Sequence, residues 1–154
     1  MKYAEDMMLL CLRYITNGED AKEILMDSFL GFFKNMKSFT WYGEGSVKAW
    51  LKKIVVNNCL GHLRKKNPAF IANGELPHEC ADDSETALDA LNAKQILRMI
   101  HTLPDGYRAV FNLYVFEGMN HKEIAEALNI SESTSKSQLH RARAILKGKI
   151  LQTS

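Results

Sequence analysis

The stretch NHKEIAEALNISESTSKSQLHRARAILKGK, residues 120–149, constrains this chain more than any other, because it spells two short helices and the turn between them. Asn120 with Glu123 three residues on makes the cap of the first helix, and Ile124, Ala125 and Leu128 form its apolar side. Asn129 tolerates left-handed geometry and stops that helix, Ile130 plugs the turn, and Ser131 caps a second helix from Glu132 to Lys147. Ala125 is small, as a close crossing of two helices requires. The second helix turns Ser135, Leu139, Ala142 and Leu146 inward. Ser133, Lys136, Ser137, His140, Arg141, Arg143, Ala144 and Lys147 lie outward or on its flanks, and no acid follows Glu132. Small hydroxyls let a backbone approach and long cations reach, so the unit is expected to be a helix-turn-helix that lays its second helix against phosphates and base edges. The alternative is an ordinary helical hairpin with a solvated, charged face.

The net charge of +2 conceals a segregation along the chain. Lys48, Lys52, Lys53, Arg64, Lys65 and Lys66 occupy a stretch without acids between Glu44 and Glu75. Glu75, Glu79, Asp82, Asp83, Glu85 and Asp89 then follow without a single lysine or arginine. Pro68 and Pro77 fall in the segment NPAFIANGELPHECADDSE, which has no helical period. The expected organisation is all-α: a helical module over residues 1–67, an acidic flexible linker over 68–84 and a second helical module over 85–154. A chain of 154 residues, 46% hydrophobic and 25% charged, suits two small cores of this kind.

The same sequence argues against several function classes. No segment approaches the ~18 uninterrupted apolar residues of a membrane span, and the N-terminus lacks a leader's charge order and cleavage site, so a cytoplasmic protein without membrane insertion is expected. Cys11, Cys59 and Cys80 are odd in number and have no paired spacing. Cys59 with His62, His78 and Cys80 is the nearest approach to a metal motif, and buried small hydrophobes are the expected role of the cysteines. No Gly-rich phosphate loop, His-Glu-His helix or Ser/His/Asp context occurs, so neither an enzyme nor a cofactor is expected.

In the first module a helix is expected to open at Asp20, with Glu23 completing its cap and Ala21, Ile24, Leu25, Ser28, Phe29, Phe32 and Met36 as its buried stripe. Its other face carries Glu23, Met26, Asp27, Leu30 and Lys34. Met26 and Leu30 are apolar where water is expected, as in a docking face or as two tolerated surface hydrophobes. After the loop Phe39-Thr40-Trp41-Tyr42-Gly43-Glu44-Gly45, Ser46 is expected to cap a second helix. Val47, Trp50, Leu51, Ile54, Val55 and Asn58 would face inward, while Lys53, Asn57, Leu60, Gly61 and Arg64 share a neighbouring face. Aromatic rings beside a basic, amide-bearing face can hold single-stranded nucleic acid; otherwise Trp41 and Tyr42 are core and the lysines solvated. In the second module, Ala93, Ile96, Leu97 and Ile100 set a helical period. Pro104 opens a further helix with Tyr107, Val110, Phe111 and Tyr114 as its apolar stripe and Gly118 as its end.

Taken in order, DAKEILMDSFLGFFKNMKSF, WLKKIVVNNCLGHLRKK, the acidic linker and LPDGYRAVFNLYVFEGMNHKEIAEALNISESTSKSQLHRARAIL resemble an extracytoplasmic-function sigma factor of bacterial RNA polymerase, in the sigma-70 family. The resemblance covers nearly the whole chain. It implies that the first module, region 2, holds core polymerase and opens the promoter near −10, and that the second, region 4, reads the −35 element. It places Glu23, Met26, Asp27 and Leu30 against the polymerase. Trp41, Tyr42, Gly43, Glu44, Ser46, Lys53, Asn57 and Arg64 are placed against the −10 strand, and Ser133, Lys136, Ser137, His140, Arg141, His121 and Lys122 against the −35 duplex. The family's habits also imply an anti-sigma partner. Gly61 stands where a polar or acidic residue is common, Ser135 and Gln138 where valine and arginine are frequent, and the family's first helix is expected to be shortened. From another class, a dimeric helix-turn-helix regulator would instead recognise a two-fold repeat.

Overall fold

The computed structural model describes residues 2–41, 43–66 and 92–153, which are helical apart from turns and contain no strand. They fall into two units, Met1–Lys66 and Asn67–Ser154. The expected linker, with Pro68, Pro77, His78 and Cys80, lies outside the described residues.

The first unit is a bundle of α1 (Lys2–Tyr14), α2 (Gly18–Lys34) and α3 (Ser46–Lys66), with a 3-10 turn at Met36–Ser38. α2 begins earlier than its sequence suggests. Asn17 is the cap, its side chain accepting from the Glu19 and Asp20 amides at 2.9 and 3.1 Å, so Asp20 already sits in the first turn. The acid at Asp20 then faces the positive end of the helix dipole without being the cap. Each helix packs on both others, and this sets how much of α3 is covered. Its buried arc is Leu51, Val55, Val56, Cys59, Leu60 and Leu63, about half the helix circumference. Leu60 therefore points into the core rather than sharing the basic face, and Asn58 is exposed rather than inward, though its Nδ2 still donates to the Ser28 hydroxyl at 2.9 Å. Trp50 drew the sequence phase away from the true one: it packs at the margin, stacked on Phe39 at 4.8 Å and tilted against Phe32 at 5.0 Å. Met36, expected in the α2 stripe, is exposed because α2 stops at Lys34 and the chain turns. Cys11 and Cys59 are both buried, and their thiols hydrogen-bond; that bond and burial push the Cys59 thiol far up, leaving it protonated.

The second unit contains α4 (Ala93–His101), α5 (Asp105–Val115), α6 (His121–Leu128) and α7 (Glu132–Thr153). Asn92 and Gln95 make a capping box for α4. Pro104 stands at the cap of α5, one place before the expected first turn. The α4–α5 turn is closed by Arg108, a buried cation that sequence periodicity does not mark. It donates to the Leu103 carbonyl at 2.7 Å and pairs with Asp105, which supplies the partners that burial of a charge demands. Met99, Ile100, Leu103, Val110, Phe111, Leu113, Ile124, Leu128, Leu139, Ala142 and Leu146 fill the core. Among the described residues no helix is long and apolar enough to cross a membrane, and no group of three or more His, Cys, Asp or Glu side chains could hold a metal ion.

Candidate functional site

The local chemistry of the helix-turn-helix follows its sequence closely. Asn120 accepts from the Glu123 amide at 2.8 Å while the Glu123 carboxylate accepts from the Asn120 amide at 3.1 Å. Asn129 takes the left-handed conformation at φ 56, and the Ile130 amide returns to the Ala125 carbonyl at 3.0 Å, closing α6. The Ser131 hydroxyl accepts from the Thr134 amide at 3.0 Å, which fixes the start of α7. Ser135, Leu139, Ala142 and Leu146 are buried, and α7 continues to Thr153, past the expected end at Lys147.

On the other side of this pair, Lys122, Ser133 and Lys136 are exposed and His121, His140 and Arg141 half-buried. Ser137 departs from expectation. By helical phase it points away from the core, yet it is only 4% exposed. Thr134 and Gln138, its neighbours around the helix, are buried as well, so the covered arc of α7 is wider than the Ser135, Leu139, Ala142 and Leu146 side. Arg141 reaches back to α5, donating to the Tyr107 hydroxyl at 3.2 Å.

One residue that the sequence did not place there, Tyr114, joins this surface and meets two that it did, His121 and Arg143. Tyr114 was expected in the apolar stripe of α5, but it is exposed, and its ring stacks on His121 at 5.0 Å and 23°. The Arg143 guanidinium lies over the same tyrosine ring, 5.4 Å from its centroid. His121 Nδ1 is 2.8 Å from the Ser135 Oγ. Burial, then the fields of Lys136 and Arg143, hold the His121 imidazole below its ordinary value, with Glu132 opposing. A tyrosine at the period of a buried stripe gives no warning that it is an outer residue; the tertiary fold alone brings it to His121.

The first unit presents two further surfaces. Its aromatic loop turns at Gly43 (φ 118) and Gly45 (φ 86), conformations that favour glycine. Ser46 donates its hydroxyl to the Gly43 carbonyl at 2.9 Å, so it pins the loop to α3 instead of capping through that oxygen. Trp41 is 67% exposed and so is not core, and Glu44 is exposed; Tyr42 lies outside the described residues. Lys53 and Asn57 are exposed and Arg64 half-buried on the side of α3 that Leu60 leaves open. The outer face of α2 carries Met26 (67% exposed), Leu30 (58%) and Phe33 (59%), spaced four and three apart, with Glu23 and Asp27 exposed alongside. Phe33 extends the expected pair to a continuous apolar stripe. Its i+7 relation to Met26 and i+3 relation to Leu30 were the available signal.

Two family models match the chain in succession. The Sigma-70 region 2 model matches residues 1–68 and the Sigma-70, region 4 model matches residues 93–146. The ECF RNA polymerase sigma factor SigW of Bacillus subtilis is 29% identical, across 94% of this chain and 83% of its own. SigM of Mycobacterium tuberculosis is 32% identical, across 84% of this chain and 63% of its own. The solved structure of the sigma factor RpoE in complex with the anti-sigma factor NepR from Bartonella quintana aligns with a TM-score of 0.59 at 18% identity. It covers 95% of this chain and 90% of that one, a likeness of fold. With both region models matched in order and relatives of one kind along nearly its whole length, the chain belongs to the sigma-70 family of RNA polymerase sigma factors, in its ECF group.

Proposed function

We propose that this chain binds core RNA polymerase, directs it to promoters and assists their melting, with the work divided between its two units. The observation that carries the reading is the Met26, Leu30 and Phe33 stripe on α2. A continuous apolar face bordered by Glu23 and Asp27 has the make-up of a protein interface, and core polymerase is the partner that the family reading supplies. A self-sufficient dimeric regulator is not favoured by the family matches.

The −35 duplex is assigned to α6 and α7. Lys122, Lys136 and Arg141 would meet phosphates and base edges, Ser133 and His140 would line the approach, and His121 would contact the backbone from the preceding helix. Ser137 is retained as a backbone-approach residue rather than a donor presented to solvent. The −10 strand is assigned to the Trp41 loop, where a ring already turned outward can stack on an unpaired base, with Lys53, Asn57 and Arg64 following the strand. Stacking offsets the few kcal/mol of unpairing a base, so melting follows from preferential binding of the open strand. Sigma factors initiate transcription without themselves being enzymes, and the nucleotide chemistry belongs to the polymerase. We place the chain in the cytoplasm with that enzyme, and assign it an anti-sigma partner by analogy with the complex of the Bartonella relative.

The test is capture of purified core polymerase by the full chain and by the Met26→Asp, Leu30→Asp double variant. Both positions are exposed, so the variant should keep its helical signal and melting point. Its affinity for core should fall by more than about thirtyfold, the scale of losing a central interface residue. Undiminished capture by the double variant would contradict the assignment of α2.

A further inference from the structure

His121 sits where three helices meet, and each contributes a group that bears on its charge. α5 supplies the stacked Tyr114 ring. α7 supplies the Ser135 hydroxyl at Nδ1, the cations Lys136 and Arg143, and the acid Glu132. Lys122 and Glu123 follow on α6 itself, both exposed. We propose that His121 takes up a proton as the second unit closes on duplex DNA, so that the grip of this chain on its upstream element strengthens as pH falls.

The argument starts with the hydroxyl. Serine both donates and accepts, so Ser135 can donate to an unprotonated Nδ1 and, by rotating its proton, accept from a protonated one. The site thus accommodates both charge states of the ring without moving it. Stacking on Tyr114 fixes the ring plane, and Nε2 has no protein partner among the described residues, leaving it to meet a phosphate oxygen. In the free chain the cations Lys136 and Arg143 repel a proton from the ring, and burial adds to this. A phosphate at this surface reverses the balance. It neutralises part of the cationic field and places negative charge beside the imidazole, which favours the imidazolium. Proton uptake coupled to binding is reciprocal: if DNA raises the proton affinity of His121, protons raise the DNA affinity by the same factor. Arg143, held over Tyr114, is part of the device because its field helps keep the free site neutral.

This inference rests on the reading of α6 and α7 as the duplex-binding pair, and the experiment separates the two. A duplex is selected from a random pool by the full chain assembled with core polymerase. Its affinity is then measured by fluorescence anisotropy from about pH 7.5 to about pH 6.0, bracketing the histidine range. The comparison is with His121→Gln, which cannot titrate, and His121→Lys, which carries a fixed charge. Wild-type affinity should rise severalfold on acidification, up to roughly tenfold per pH unit for one proton. His121→Gln should lack that increment, and His121→Lys should bind tightly at both ends of the range. The same pH dependence in wild type and His121→Gln would overturn the proton uptake while leaving the duplex-binding reading intact. Failure to select any duplex would overturn that reading and the inference with it.

Discussion

His121 Nδ1 lies 2.8 Å from the Ser135 Oγ, so the first residue of α6 is tied directly to the buried side of α7. This bond holds the two helices of the DNA-reading pair together from their N-terminal ends, where the alternative valine of the family could not make it. Ser135→Ala should cost about 1 kcal/mol in urea unfolding, the usual worth of a buried side-chain hydrogen bond. An unchanged unfolding midpoint would show that the bond does not hold the pair.

The same histidine makes stability depend on pH. Its folded value lies below its ordinary one, so between the two the unfolded chain binds more protons and stability rises with pH. This contribution is fully present above the ordinary value of 6.5 and is lost as pH falls through the folded value. Urea unfolding of wild type and His121→Gln, compared at about pH 7.5 and about pH 5.5, should show a smaller acid loss in the variant. Equal losses would assign the acid sensitivity elsewhere.

Asn129 closes α6 at φ 56. Asn129→Gly should be nearly neutral because glycine adopts this conformation freely. Asn129→Val should lose about 1–2 kcal/mol, since a β-branched side chain is strained there. Thermal melts of the two variants measure the difference, and equal melting points would contradict the account of this turn.

The two tryptophans should separate cleanly. Trp50 stacks against Phe39 and Phe32, so Trp50→Ala should destabilise by about 3 kcal/mol, as loss of a large aromatic does. Trp41 projects outward, so Trp41→Ala should leave the unfolding midpoint within about 0.5 kcal/mol of wild type. It should spare closed-complex formation and slow promoter opening, followed by permanganate reactivity of unpaired thymines. Normal opening by Trp41→Ala would remove the loop from the melting step.

On α7, Lys136→Ala should lower promoter affinity on every sequence and reduce the salt slope by about 0.9, the signature of one lost phosphate contact. Arg141 is anchored on the Tyr107 hydroxyl, so Arg141→Ala should relax preference at one position of the upstream element, by about 1–3 kcal/mol if it reads a base edge. Filter binding on a set of single-base variants distinguishes them; identical patterns would refute this assignment of separate roles.

The helix-turn-helix was legible in the sequence because its information is local. Asn120, Glu123, Asn129 and Ser131 act on neighbours within four residues, and each does in the structure what its type and position imply. Where the fold depends on packing between distant helices, single-helix periodicity gave less. α3 is covered by two neighbours, and an arc that wide has no sharp phase, which is why Leu60 and Asn58 exchanged places. Tyr114 was hidden in the same way: seven residues after Tyr107 it keeps the helical period, but its partner His121 lies across a turn on another helix. Phe33 shares the outer face of α2 with Met26 and Leu30, and its exposure sets it apart from the half-buried Phe29 and Phe32.

The most direct test of the account is in vitro transcription by purified core RNA polymerase with the full chain, run over a library of genomic promoter fragments and followed by footprinting. The account predicts transcription that needs both proteins, with protection of two different, non-palindromic elements, the upstream one lost in Lys136→Ala. Failure to bind core polymerase, together with tight binding of the isolated chain to a palindrome, would contradict it.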